Sequence, residues 1–577
     1  MKNRSLNFCL TSLPTIAMLA GSAVAAEQPN IVFILTDDLG YGSVGCYGAD
    51  KSLVRTPNID RLAAEGIRFT DAQVPATVCS ASRYSLLTGR HCWRTPENHG
   101  VLGVYAPLLI ETNRMNMASL LKQQGYATAA IGKWHQGYGL PPRTDFREPL
   151  VPGPLQVGFD YHFGVAANHG DETGVYIENE GVWGLRSKTL TPRPGCFYRP
   201  YTYLGLDAPQ RKDDEAMDFL TGKAISWMEQ QPKGKPFFLY FPMLAVHEPI
   251  TPSKESSGTS AAGPYGDFIH DIDLSVGRIL KALEKLGVLD NTLVIFTSDN
   301  GGSYPDYGPN KVIQQAADAG LKINGPLRWR KLSIFEGGSR VPFVARWPGR
   351  IPAGKVSDET INLIDMTATF AELTGVALAP DAAQDSISVK GALLGGTSSR
   401  TETSAMITHS TDGNFALRQG QWKYIEGKPA YPWPGKLAMF EEGKSSQLYD
   451  LQNDIGETTN LLSQYPEKVR AMQAEIARQR DQGFSRPSAL PYDRNDSPKI
   501  APTAAVPAKP TAKLAAKPPP REQTFMQLDR DGSGTLSPDE FLPACPLKGD
   551  AGKERFRDLD RNGDGYLSKD EFINAGK

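Results

Sequence analysis

The chain has 577 residues, 40% of them apolar and 22% charged, with 62 basic against 64 acidic side chains and a formal charge of −2. That length exceeds what one hydrophobic core usually serves, so several domains or subdomains are expected. The composition is ordinary for a globular protein, and the balanced charge excludes a global field that would favour nucleic acid.

In chain order, Lys2 and Arg4 precede an apolar run to Ala20 and the small-residue pattern Ala23-Val24-Ala25. This reads as a secretory signal peptide over 1–26. No later segment reaches the ~20 apolar residues of a membrane span. The expectation is a soluble, exported protein, periplasmic or extracellular. Cys9 leaves with the signal, so Cys46, Cys79, Cys92, Cys196 and Cys545 remain. An odd number in an oxidising compartment leaves at least one unpaired or modified, with pairing among Cys46, Cys92, Cys196 and Cys545 left open.

Residues 27–400 alternate strand-like apolar runs with helical patterns, which predicts an α/β layered domain. Four of the runs end in polar residues: Asp37-Asp38, Lys133 with His135, His247, and Asp299-Asn300. Continuous apolar runs of this kind read as buried parallel strands, whose carboxyl ends are where open α/β sheets bind ligands. If the four share one sheet, these residues converge. The plainer reading of any single pair is a turn after a strand.

Between them lies "ATVCSASRYSLLTGR", residues 76–90. It predicts a helix starting at Cys79 and ending at Gly89, with Arg83 one turn on and on the same face. A nucleophile beside a fixed cation at a helix N-terminus suits attack on an anionic ester. A buried structural cysteine with a surface arginine is the competing interpretation.

Near residue 400 the pattern changes. "TSAMITHS", "NFALRQGQWKYIEG" and "SQLYDLQND" read as short antiparallel strands, followed by a helix near Pro466–Arg480, which predicts a smaller α+β subdomain over 401–490. Residues 491–520 are a Pro/Ala/Lys linker; from 498 to 520 there are seven prolines, seven alanines, four lysines and no acid. Residues 521–577 hold two segments that align 31 positions apart. Each matches a twelve-residue EF-hand calcium loop. The ligand positions are Asp529, Asp531, Ser533, Thr535, Ser537 and Glu540 in the first, and Asp560, Asn562, Asp564, Tyr566, Ser568 and Glu571 in the second, with Gly534 and Gly565 at the sharp turns. Flanking apolar residues predict two α-helical hands packed on each other, structural rather than sensory.

Cys79-Ser80-Ala81-Ser82-Arg83 with Leu86-Leu87-Thr88-Gly89-Arg90 resembles the signature of the type I, formylglycine-dependent sulfatases, the group that includes arylsulfatases and N-acetylgalactosamine-6-sulfatases. Further motifs of that family follow in order: "DDLGYG" at 37–42, "TPNIDRLAAEGIRF" at 56–69, "GKWH" at 132–135, "HEP" at 247–249, "SDNGG" at 298–302 and "FEGGSRVP" at 335–342. The resemblance spans about residues 29–480. It implies an alkaline-phosphatase-like α/β sandwich with a large mixed, mostly parallel sheet. It also implies that a maturation enzyme converts Cys79 to formylglycine, the modified residue, whose hydrate attacks sulfur and later expels sulfate. Asp37, Asp38, Asp299 and Asn300 with modified Cys79 would hold one calcium ion, and all-oxygen ligands suit that hard cation.

The same match implies that Arg83 neutralises the formylglycine side and that Lys133 and Lys331 hold sulfate oxygens. His135 would accept the proton of the hydrate, and His247 with Lys331 would serve the leaving oxygen. Two departures stand out. Ala81 replaces the commoner proline, and Trp329-Arg330 occupy positions where many relatives have two glycines, so these two are expected to shape the substrate mouth. The implied function is a secreted calcium-dependent sulfate monoester hydrolase acting on a sulfated glycan or aryl sulfate. The basic, aromatic stretch 186–205 is then a candidate rim. Phosphate or phosphonate ester hydrolysis on the same fold, or an inactive calcium-dependent binding protein, are the alternatives. The EF-hand pair leaves room for a tethering partner.

Overall fold

A computed structural model describes residues 28–96, 100–303, 311–400, 404–427 and 442–486, with single positions between 525 and 572. The signal segment, the linker, Cys545 and the EF-hand ligand positions other than Thr535, Ser537 and Ser568 lie outside the described residues. The chain divides into two compact units, Met1–Ser497 and Pro498–Lys577.

The larger unit is built on an 11-stranded mixed sheet. Its centre is four parallel neighbours in the spatial order Thr292–Ser298, Asn30–Thr36, Phe237–Pro242 and Ala127–Lys133, with Tyr161–Val165 added in parallel beyond them. These are the four runs that end in polar residues, and all four belong to one sheet. On the other flank, Arg340–Arg346 runs antiparallel to Thr292–Ser298 and pairs antiparallel with Ile67–Gln73.

The first strand shows why the runs are unbroken. Ile31, Phe33 and Leu35 enter one apolar cluster, whereas Val32 and Ile34 enter the cluster on the opposite face. A strand covered on both sides has no polar face to display. The Cys79–Thr88, Met117–Gln123 and Met366–Leu373 helices contribute to the first core, and the Pro57–Ala64, Ala216–Glu229 and Gly263–Leu286 helices to the second.

A second sheet, antiparallel and four-stranded, comprises Ala405–His409, Phe415–Gln419, Trp422–Ile425 and Gln447–Asp450. The run over 414–427, read as part of a set of short antiparallel strands, forms a hairpin. It folds at Gly420, whose φ of 56° lies in the left-handed region that tight hairpin turns use. The Pro466–Gln482 helix sends Met472 and Ile476 into this sheet's core, beside Ile407, Leu417, Tyr424 and Leu448.

In the second unit, Thr535–Leu536 pairs antiparallel with Leu567–Ser568. Leu536 and Leu567, which pair with each other, hold the same position in the two calcium-type loops, and Phe525, Leu536, Phe541, Phe556, Leu559 and Leu567 form one core. The two hands thus pack on each other. Among the described residues no helix is long and apolar enough to cross a membrane.

Candidate active site

The parallel strands aim their carboxyl ends at one place, and the chain turns sharply there. Asp38 and His135, each just past a strand, have φ of 61° and 52°. Non-glycine residues in the left-handed region cost about 1–3 kcal/mol each and persist only where surrounding structure imposes them.

Cys79 opens the Cys79–Thr88 helix, every residue of which is buried, and the thiol residue is only 2% exposed. The helix ends as predicted: Gly89 adopts φ 64° and its N–H donates to the Ser85 carbonyl. A side chain at Gly89 would also strike Ala383, 2.7 Å from the added carbon. One turn from Cys79, Arg83 is fully buried. Its Nε donates to Asp299 Oδ2 at 2.9 Å, and its Nη2 lies 2.8 Å from the same oxygen and 3.5 Å from Asp37 Oδ1. Its Nη1 donates to the Lys133 carbonyl. The surface-arginine alternative is excluded by this burial.

Lys133 Nζ donates to Asp37 Oδ2 at 2.6 Å, and Lys331 Nζ donates to Asp38 Oδ2 at 2.8 Å. Asn300 Nδ2 donates to Asp38 Oδ1, and Ser303 Oγ donates to Asp38 Oδ2. Ser303, just beyond "SDNGG", escaped the sequence reading because an isolated serine carries no pattern.

Three buried carboxylates therefore face three buried cations. Burial raises the Asp37 carboxyl, but Lys133, His247, Arg83 and Lys331 together outweigh it and hold the group well below the usual range. Asp38 is lowered against the same burial by Lys331 and His247. Asp299 goes the other way. Burial pushes it up to about 8; Arg83 opposes this, and the charges of Asp37 and Asp38 add to it.

The two histidines have their ring protons assigned by geometry. A carbonyl only accepts, so His135 Nε2–H donates to the Leu102 carbonyl at 2.9 Å, leaving Nδ1 buried without a partner. Burial and Lys133 hold His135 well below its ordinary value. His247 Nδ1–H donates to the Glu248 carbonyl at 2.7 Å, and its Nε2 is 3.8 Å from Asp38 Oδ2. Burial and Lys331 push it down to about 3.

The donor set suits a hard cation. Asn300 Oδ1 is buried with no hydrogen-bond donor, and Asp37 Oδ1, also buried, has no hydrogen bond beyond its 3.5 Å ion pair with Arg83. Such orphaned oxygens are what a calcium ion would satisfy. Among the described residues, Asp37, Asp38 and His247 each offer a potential ligand atom within 4.8 Å of the others; of the expected ligands, Asp299 and Cys79 are not part of that group.

Trp329, expected to shape the substrate mouth, has φ 59° and donates from Nε1 to Glu442 at 3.0 Å, while Arg330 is buried. A left-handed backbone is where glycine fits most easily. Trp329 is held there by Glu442 and by packing against two apolar clusters. The 186–205 stretch is an antiparallel hairpin, Ser187–Arg193 with Tyr203–Asp207, and its tip reaches the site through Tyr198, whose hydroxyl donates to the Glu248 carbonyl.

Residues 29–376 match the family described as Sulfatase, and residues 522–542 and 553–574 each match the EF hand family. An N-acetylgalactosamine-6-O-sulfatase of Bacteroides thetaiotaomicron is 35% identical over 513 residues, covering 82% of this chain and 98% of that protein. Human arylsulfatase A is 34% identical, covering 78% of this chain and 86% of that protein. A solved structure from Bacteroides thetaiotaomicron, described under the metabolism of multiple glycosaminoglycans, superposes with a TM-score of 0.73 at 34% identity and covers 78% of this chain and 99% of its own. With this fold, this ordered set of motifs and these relatives, the chain belongs to the sulfatase family and is a sulfuric ester hydrolase.

Proposed function

We propose that the protein is an exported, calcium-dependent sulfatase that removes sulfate from a glycan through a formylglycine formed at Cys79. The observation that carries the reading is the seat of Cys79: buried at a helix start, one turn from an arginine that bridges Asp299 and Asp37. A calcium ion held by Asp37, Asp38, Asp299 and Asn300 would supply Lewis acidity toward the sulfate and toward the hydrated aldehyde.

The protein's own groups do the rest. Arg83 fixes the carboxylates of Asp37 and Asp299 beside residue 79. Lys133 and Lys331, paired with Asp37 and Asp38, present ammonium charge where sulfate oxygens would lie. His135 offers its bare Nδ1 as a proton acceptor. Lys331 and His247 serve the departing alcohol, Lys331 with its proton and His247 by orienting the oxygen. Arg83, Lys133 and Lys331 face Asp37, Asp38 and Asp299, and a divalent cation added to them leaves the site positive, which favours an anionic ester.

Glycan is favoured over small aryl sulfates by the relatives named for N-acetylgalactosamine 6-sulfate and by the hairpin at the mouth. The deciding experiment is mass spectrometry of the tryptic peptide "FTDAQVPATVCSASR" from protein made with a maturation enzyme. An aldehyde in place of the thiol is expected, and a complete free thiol under those conditions would sink the mechanism.

A further inference from the structure

Lys331, which pairs with Asp38, sits between two residues of unusual backbone: Trp329 has φ 59° and Leu332 has φ 73°. Two non-glycine residues in the left-handed region, three positions apart, persist only where the surroundings impose them. The main chain fixes the loop at two points. The Lys331 N–H donates to the Gly302 carbonyl at 3.1 Å, and the Leu332 N–H donates to the Thr77 carbonyl at 2.9 Å.

A third point is held by a side chain, that of Asn324, which is 5% exposed. Its Nδ2 donates to the carbonyls of Trp329 and Gly302 at 3.1 Å each, and its Oδ1 accepts from the Gly302 N–H at 2.9 Å. Reversing the amide would set its oxygen against two carbonyls, so the network itself fixes which end is which. The turn that carries Asn324 is anchored in its own right. The neighbouring Ile323 carbonyl accepts from the Gly42 N–H at 2.8 Å and from the Ser43 hydroxyl at 3.2 Å. A carbon added at Gly302 would lie 2.5 Å from Ile323 and 2.8 Å from Gly40, so these segments touch without room to slide. From a turn fastened to "DDLGYG", one buried amide thus ties "SDNGG" to the loop of Lys331.

We infer that Asn324 is a positioning residue, which acts through Lys331 by holding the 329–332 backbone so that the ammonium group is aimed at the departing oxygen. This rests on the reading of Lys331 given above. A lysine stem is flexible, so the place its charge occupies depends on where its backbone is fixed, and a displacement of about 1 Å at a reacting group can cost about 100-fold in rate. Asn324 belongs to none of the motifs, and its part emerges only where the three segments meet.

The test uses full-length matured wild type, Lys331→Ala, Asn324→Ala and Asn324→Asp, each checked for folding by its melting transition. Two substrates of similar shape are cleaved in single turnover with enzyme in excess. 4-Nitrophenyl sulfate releases a stable phenolate, whereas phenyl sulfate releases a more basic one that needs a proton. Lys331→Ala should slow phenyl sulfate far more than 4-nitrophenyl sulfate. Equal losses there would overturn the reading of Lys331, and the inference with it. Asn324→Ala should show the same selectivity in weaker form, with the ratio of phenyl to nitrophenyl rates falling about 10-fold. Asn324→Asp, which keeps the shape and the acceptor but not the amide N–H groups, should move the ratio in the same direction, and it decides the matter if Asn324→Ala does not fold. Selectivity in Lys331→Ala with a wild-type ratio in the Asn324 variants, whether their two rates fall together or not at all, overturns the inference alone.

Discussion

Residue 79 separates chemistry from stability. Cys79 is buried at the start of its helix, but among the described residues its thiol makes no hydrogen bond. Cys79→Ser should abolish sulfate release while unfolding free energy stays within about 1 kcal/mol of wild type, checked by urea denaturation beside the turnover assay. Arg83 is the opposite case. Its guanidinium is fully buried and holds Asp299 and Asp37 at once. Removing one partner of a buried ion pair strands the other, at about 3–5 kcal/mol. Arg83→Ala should therefore lose both turnover and several kcal/mol, and a stability equal to wild type would contradict the geometry.

At the scale of elements, the small sheet is fastened to the large sheet by buried charge. Lys423, in the Trp422–Ile425 strand, pairs with Glu336 and Glu457 at 2.9 Å each, and Arg418 in the adjacent strand reaches Asp71 of the Ile67–Gln73 strand. Arg340 closes the ring through Glu336 and Asp71. Burial raises the Glu336 carboxyl, but Lys423, Arg340 and Arg418 outweigh it and hold the group far below the ordinary range. A depressed carboxyl contributes stability that is complete above its unfolded pKa, about 4.3, and is lost as pH falls below that. Acid unfolding monitored by fluorescence should thus begin below about pH 4. Lys423→Ala should cost about 3–5 kcal/mol at neutral pH and flatten that acid limb. A variant with an unaltered acid limb would show that the ring does not set it.

For the whole molecule, the division at Ser497 and Pro498 separates the sulfatase unit from the unit that carries the two EF-hand matches. The paired loops of the second unit share a core and a two-residue bridge of strands, so that unit holds itself together. A chain ending at residue 497 should retain nearly full turnover and remain sensitive to EDTA, since its oxygen-lined cluster is its own. Calorimetric titration of the full chain should show additional weak calcium sites of about 10⁻⁴–10⁻³ M, as extracellular modules of this type have. A large fall in kcat on truncation would instead give the second unit a part in catalysis.

Much of the site was readable along the chain because its parts lie at predictable places. Strands buried on both faces have to be continuously apolar, so Asp37, Lys133, His247 and Asp299 stand out as the polar residues where each run stops. The Cys79 helix and its Gly89 end follow from local capping rules, and the duplicated calcium loops from fixed ligand spacing. What the sequence determined by itself was therefore the set of chemical groups and the local elements that carry them.

The pairing of those groups was decided only in three dimensions. Lys133 meets Asp37 across 96 positions and Lys331 meets Asp38 across 293. The "NFALRQGQWKYIEG" run became two strands because Gly420 turns the chain back onto itself. The Glu248 carbonyl accepts from both His247 and Tyr198, a junction between the "HEP" segment and a distant hairpin that only the fold creates. Local periodicity reports what a residue's neighbours in sequence impose. Burial and charge compensation depend on which distant segments exclude water together, and only the assembled sheet with its covering loops decides that.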